Sequence, residues 1–105
     1  AQMASGHKLR IGDIELDYDA LSVTDEHGTA VLPKKEFQLL FKLLNAPGKT
    51  FTRQQLMDDI WGLDSDADER TVDVHIKRLR EKFGGLRQFK LVTVRGLGYR
   101  AEKLV

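Results

Sequence analysis

The residues with the clearest chemical meaning lie in one run: Arg70-Thr71-Val72-Asp73-Val74-His75-Ile76-Lys77-Arg78-Leu79-Arg80-Glu81-Lys82-Phe83. Wound at about 100° per residue, the run separates into two faces. Val72, Ile76, Leu79 and Phe83 fall on one side as a core stripe. Opposite them lie Arg70, Val74, Lys77, Arg78 and Glu81, flanked by Thr71 and His75 on one side and by Asp73 and Arg80 on the other. Val74 is the informative member. A valine among cations gains nothing in water and is a poor helix former, so its place implies an apolar contact in a complex. A DNA major groove supplies what such a face needs: cations donate to guanine O6 and N7, and an apolar side chain packs on the thymine methyl. On that chemistry Val74 and Arg78 point to base edges, while Arg70 and His75 bind the phosphates that set register. A solvated basic face with one stray valine is the plainer alternative.

A second constellation follows at Thr93-Val94-Arg95-Gly96-Leu97-Gly98. Arg95 stands at a glycine-bounded tip, where a short turn can present a guanidinium to a narrow minor groove, whose negative potential attracts it. Thr93 beside it can donate to a phosphate. An ordinary hairpin, with glycine for the turn and arginine for solubility, is the competing reading. The charge distribution fits a polyanionic partner for both elements, and equally a basic face that only aids solubility. The net charge is only +1, yet residues 1–69 hold 7 Lys/Arg against 13 Asp/Glu, and residues 70–105 hold 10 against 3. Segregation of this kind concentrates the positive field in a third of the chain.

Other patterns carry less. Asp64-x-Asp66-x-Asp68 imitates the start of a calcium loop, but Glu69 stands where glycine is required and His75 where a bidentate glutamate is required. His7, His27 and His75 are dispersed, and no nucleophile, base and orienter come together. Neither a metal, a cofactor nor an enzymatic reaction is therefore expected. Cysteine is absent, which excludes a disulfide framework and suits a reducing cytoplasm. No run approaches the roughly 18 apolar residues that span a membrane.

The elements that must position these residues read as follows. Leu9 to Ile11, Ile14 to Tyr18, Ser22 to Asp25 and Thr29 to Leu32 form an antiparallel meander, its outer side acidic through Glu15, Asp17, Asp19, Asp25 and Glu26. That side is a poor surface for nucleic acid and suits covering the helices or docking on another domain. Pro33 opens a first helix whose stripe is Phe37, Leu40, Phe41 and Leu44, widened by Leu39 and Leu43. Lys49-Thr50-Phe51 is a short extended piece, and Thr52 to Gln55 is a capping box that starts a second helix running to about Trp61. Gly62 to Asp68 is a loop, Glu69 to Phe83 the third helix, and Phe89 to Leu104 a hairpin. Residues 1–6 read as a vector-derived scar or a linker, and residues 7–105 as one domain.

Taken together, Arg70-Thr-Val-Asp-Val-His-Ile-Lys-Arg-Leu-Arg-Glu-Lys-Phe83 and Thr93-Val-Arg-Gly-Leu-Gly-Tyr-Arg100 closely resemble the effector domains of OmpR/PhoB-type response regulators. Phe37-Gln-Leu-Leu40 and Arg53-Gln-Gln-Leu-Met-Asp-Asp-Ile-Trp61 fit the same pattern. The resemblance implies an α+β winged helix-turn-helix: a four-stranded antiparallel sheet, three helices and a C-terminal hairpin wing. It implies transcription regulation by binding double-stranded DNA, with two copies head to tail on direct repeats. By position, Val74 and Arg78 would face bases and Arg95 the minor groove. Trp61, Arg70, Thr71, His75, Lys77, Arg80 and Thr93 would lie at the backbone. The loop Leu63, Asp64, Ser65, Asp66, Ala67 and Asp68 would face RNA polymerase, and the receiver domain would lie outside this chain. Leu32-Pro33 replaces the Thr-Pro that often opens the first helix in the family, so the usual hydroxyl cap is missing. The residues alone leave open a winged-helix module that binds an acidic protein with the same basic face.

Overall fold

A computed structural model describes residues 7–62 and 66–105. Strands β1 (Lys8–Ile11), β2 (Ile14–Asp17), β3 (Ser22–Asp25) and β4 (Gly28–Val31) form an antiparallel sheet in sequence order. The alternating apolar positions Ile11, Ile14, Leu16 and Val23 are buried, with Ile11 opposite Ile14 and Leu16 opposite Val23. Three strands differ from expectation by a residue, β1 starting at Lys8 rather than Leu9, β2 ending at Asp17 rather than Tyr18, and β4 spanning Gly28–Val31 rather than Thr29–Leu32. β2 stops at Asp17 because its carboxylate accepts from the backbone N–H groups of Asp19 (3.1 Å) and Ala20 (3.3 Å), an Asx turn that competes with the ladder. β4 runs one residue earlier, where Thr29 pairs with Thr24 and Gly28 with Asp25.

Helix α1 (Lys34–Leu44) buries Phe37, Leu39, Leu40, Leu43 and Leu44 completely. Phe41 is only half-buried and packs edge-on against Tyr18, which joins the sheet to the helix. Pro33 is the residue before the first turn rather than its first member, and the helix starts with no side-chain cap. That is the consequence of the missing hydroxyl.

Thr52 caps helix α2 as its spacing requires. Its hydroxyl accepts from the Gln55 N–H (3.0 Å), and the Gln55 side chain accepts from the Thr52 N–H (2.8 Å). α2 opens as an α-helical turn, Arg53–Leu56, and continues as a π-helical turn, Met57–Trp61. There the Gly62 N–H reaches back to the Met57 carbonyl at 3.0 Å, and Lys35 of α1 donates to the Ile60 carbonyl at 2.6 Å. The wider turn was not legible in the sequence. Helix α3 (Glu69–Phe83) has the predicted limits.

Strands β6 (Phe89–Val94) and β7 (Gly98–Lys103) form the expected hairpin. The short piece preceding α2 joins it as β5 (Phe51–Thr52), making a three-stranded sheet in the order β5-β7-β6. This pairing separates the roles of the two tip glycines. Gly96 takes φ 74° in the turn, a conformation that L side chains avoid. Gly98 lies in β7 opposite Thr52, where a Cβ would collide with the Phe51 carbonyl. One buried apolar cluster joins both sheets and all three helices. No helix of the described residues is long and apolar enough to cross a membrane.

Candidate nucleic-acid interface

Burial of Val72, Ile76, Leu79 and Phe83 fixes the rotation of α3 about its axis. The opposite face is therefore held outward. Val74 is 43% exposed, large for an apolar residue in the middle of a helix. Arg70, Lys77 and Arg78 around it are exposed, and their side chains have no hydrogen bond or ion pair among the described residues.

The flanks of this face are engaged. His75 Nδ1 lies 2.8 Å from the Thr71 carbonyl. A carbonyl only accepts, so Nδ1 carries the hydrogen and Nε2 is the ring nitrogen left for a partner. The ring meets Trp61 edge-on at 5.0 Å. Trp61, His75 and Thr71 thus form one half-buried ridge along one side of α3. On the other side, Arg80 reaches the hairpin: Nη2 donates to Thr93 Oγ1 (2.8 Å) and to the Leu91 carbonyl (2.9 Å). Arg80 and Thr93, each expected at a DNA backbone, are joined to one another.

Asp73 holds the centre of the arrangement. Its Oδ1 accepts from Arg53 Nε at 2.8 Å and from the Tyr99 hydroxyl at 2.5 Å. Tyr99 in turn has the Arg53 and Arg80 guanidinium groups at 5.6 and 5.8 Å from its ring centroid, within cation–π range. Burial pushes the Asp73 carboxyl up, but the hydrogen bonds from Tyr99 and Arg53 outweigh it and hold the group below its ordinary value. The same contacts raise Arg53, chiefly through the hydrogen bond to Asp73. Tyr99 is raised by burial first and by Asp73 second. Neither Arg53 nor Tyr99 was singled out from the sequence. The available signal was Asp73 itself: an acid beside a basic face needs a cation, and its partner was 20 residues away.

The hairpin presents its tip in a defined way. The Val94 carbonyl accepts from the Leu97 N–H at 3.0 Å, closing a four-residue turn that leaves Arg95 exposed and without a partner among the described residues. Of the loop expected to meet RNA polymerase, Leu63, Asp64 and Ser65 lie outside the described residues. Asp66 is exposed, Ala67 packs partly against the core, and Asp68 caps α3 by accepting from the Arg70 N–H at 3.0 Å.

Residues 27–101 match the family model described as transcriptional regulatory protein, C terminal. The chain is 46% identical over 102 residues to the heme response regulator HssR of Staphylococcus aureus, covering 96% of this chain and 46% of that protein. It superposes with TM-score 0.75 and 30% identity on response regulator DrrB, a Thermotoga maritima OmpR/PhoB homolog, over 91% of this chain and 44% of that one. The chain belongs to the OmpR/PhoB-type response regulators, as their C-terminal domain. A solved DNA-binding domain of this class, that of AdeR in complex with an intercistronic region, is 36% identical with TM-score 0.75, over 90% of this chain and 99% of that one.

Within the OmpR/PhoB group the folded unit is a winged helix: α2 and α3 form the helix-turn-helix pair and the β6–β7 hairpin the wing. Family and fold are those of a DNA-binding transcription regulator's output domain rather than of an enzyme. The chain spans about half the length (46%) of the curated relatives it matches.

Proposed function

We propose that this domain binds double-stranded DNA sequence-specifically, with α3 in the major groove and the wing arginine, Arg95, in the minor groove. The observation that carries the reading is Val74. It is 43% exposed at the centre of a face whose cations Arg70, Lys77 and Arg78 have no internal partner among the described residues. Val74 and Arg78 read base edges, the valine on a thymine methyl and the arginine on guanine. Trp61, Arg70, Thr71, His75, Lys77, Arg80 and Thr93 lie along the backbone. Two copies sit head to tail on direct repeats about one helical turn apart, in the cytoplasm, under the control of a receiver domain. The loop from Leu63 to Asp68 meets RNA polymerase.

Fluorescence anisotropy on labelled duplexes over a range of salt tests the reading. Binding to random duplex should weaken steeply with salt, in proportion to the phosphates neutralised, and a selected site should bind more tightly than random sequence. No binding at low salt would instead favour a module that meets an acidic protein.

A further inference from the structure

One residue on the outward face of α3 has no part in the chemistry described so far. Glu81 is exposed, and its carboxylate makes no hydrogen bond or ion pair among the described residues. At about 100° per residue it falls within about 60° of both Val74 and Arg78. Lys77 is farther from the Val74–Arg78 direction than Glu81 is. The other unpartnered acid on the helix, Glu69, is turned by about 120° from Glu81, towards the core side. An acid at this place opposes phosphates and costs affinity unless it meets a donor. A major groove offers such donors only on cytosine N4 and adenine N6. Adenine sets the N7 acceptor beside its amino group, which repels a carboxylate. Cytosine has only a C–H there. Guanine and thymine present acceptors.

We propose that Glu81 is a specificity-determining residue that accepts from the N4 amino group of a cytosine, one or two base pairs beyond the pair read by Arg78. The proposal rests on the major-groove reading of α3. Lys77 and Arg78, one turn earlier on the same side, offset the burial of the Glu81 charge in the groove. Only one orientation of that pair brings the cytosine amino group to the carboxylate, so Glu81 favours C·G over G·C there.

Binding sites selected from random duplex pools test this with the chain itself, Glu81→Gln and Glu81→Ala, each verified as folded by circular dichroism. The unaltered chain should select cytosine at one position. Glu81→Gln should shift that position alone to adenine, which matches a side-chain amide at N6 and N7. Glu81→Ala should leave it without preference, with on the order of tenfold less discrimination against T·A there. An unchanged site in both variants, or uniformly tighter binding of Glu81→Ala to every duplex, overturns the assignment while leaving the DNA reading intact. No selected site for the unaltered chain overturns both.

Discussion

The Tyr99 hydroxyl and Arg53 Nε converge on a single oxygen, Oδ1 of Asp73, at 2.5 and 2.8 Å. One carboxylate on the outward-facing helix therefore joins the wing to the start of α2. With Arg80 bridging from α3 to Leu91 and Thr93, polar contacts join helix and wing beside the apolar core that Phe89, Tyr99 and Ala101 share with α3. The proposed reading of two grooves needs the angle between helix and wing to be definite.

Tyr99→Phe keeps the ring within reach of the two guanidinium groups and deletes one hydrogen bond to a charged acceptor. The expected loss is about 1–2 kcal/mol of folding stability, read from denaturant unfolding. Specific DNA binding should weaken while random-duplex binding changes little, because the cations proposed to meet phosphates remain. Equal loss on both duplexes would mean the contact does not orient the wing.

The lowered Asp73 pKa predicts the shape of the acid limb. Folding favours the ionised carboxylate, so the contribution is fully present above the ordinary value of 3.8 and disappears as pH falls through the lower folded value. Asp73→Asn should lower Tm at neutral pH and flatten the loss of Tm on acidification. A limb of unchanged steepness would assign the acid sensitivity to another carboxylate, Glu102 beside Arg100 being the first to test.

The two wing glycines should respond differently to alanine. Gly96→Ala places a side chain at φ 74° in open space, a cost of about 1 kcal/mol. Gly98→Ala drives a Cβ into the Phe51 carbonyl, so β5 must separate from β7 at a cost of about 1–3 kcal/mol or more. Thermal melts of both variants give the order. A Gly98→Ala protein as stable as Gly96→Ala would mean that β5 is not held on the wing.

Arg78→Ala should cost about 1–3 kcal/mol on a selected site and relax preference at one base pair. Arg80→Ala should weaken all duplexes alike and reduce the salt slope by about one. Binding isotherms over salt separate the two. An unchanged slope for Arg80→Ala would confine its role to the hydrogen bonds with Leu91 and Thr93.

Much of the fold was legible because it depends on local chemistry. The 3.6-residue spacing of Val72, Ile76, Leu79 and Phe83 determines which side of α3 is buried, and hence that Val74 points outward. Thr52 with Gln55 determines where α2 begins, since both partners of the capping box lie within four residues. The missing hydroxyl before Pro33 is visible in the sequence, as is the absence of a cap in the structure. Phe41 was misjudged because periodicity reports only a direction. Tyr18, contributed by the sheet, decides how far that direction is covered.

By itself, then, the sequence determined the elements, the two faces of α3 and the family, because helix phase, capping and turn chemistry act over a few residues. Only the tertiary structure decided which polar side chains are engaged by distant segments and which have no partner among the described residues. Arg53, Arg80 and Thr93 are polar in the sequence like Arg78 and Arg95, yet the first three hydrogen-bond to partners 11 to 20 residues away. Gly98 was equally opaque, since its need for a bare Cα comes from a strand 47 residues earlier. Contacts between distant segments depend on how the core assembles, and no local pattern encodes that.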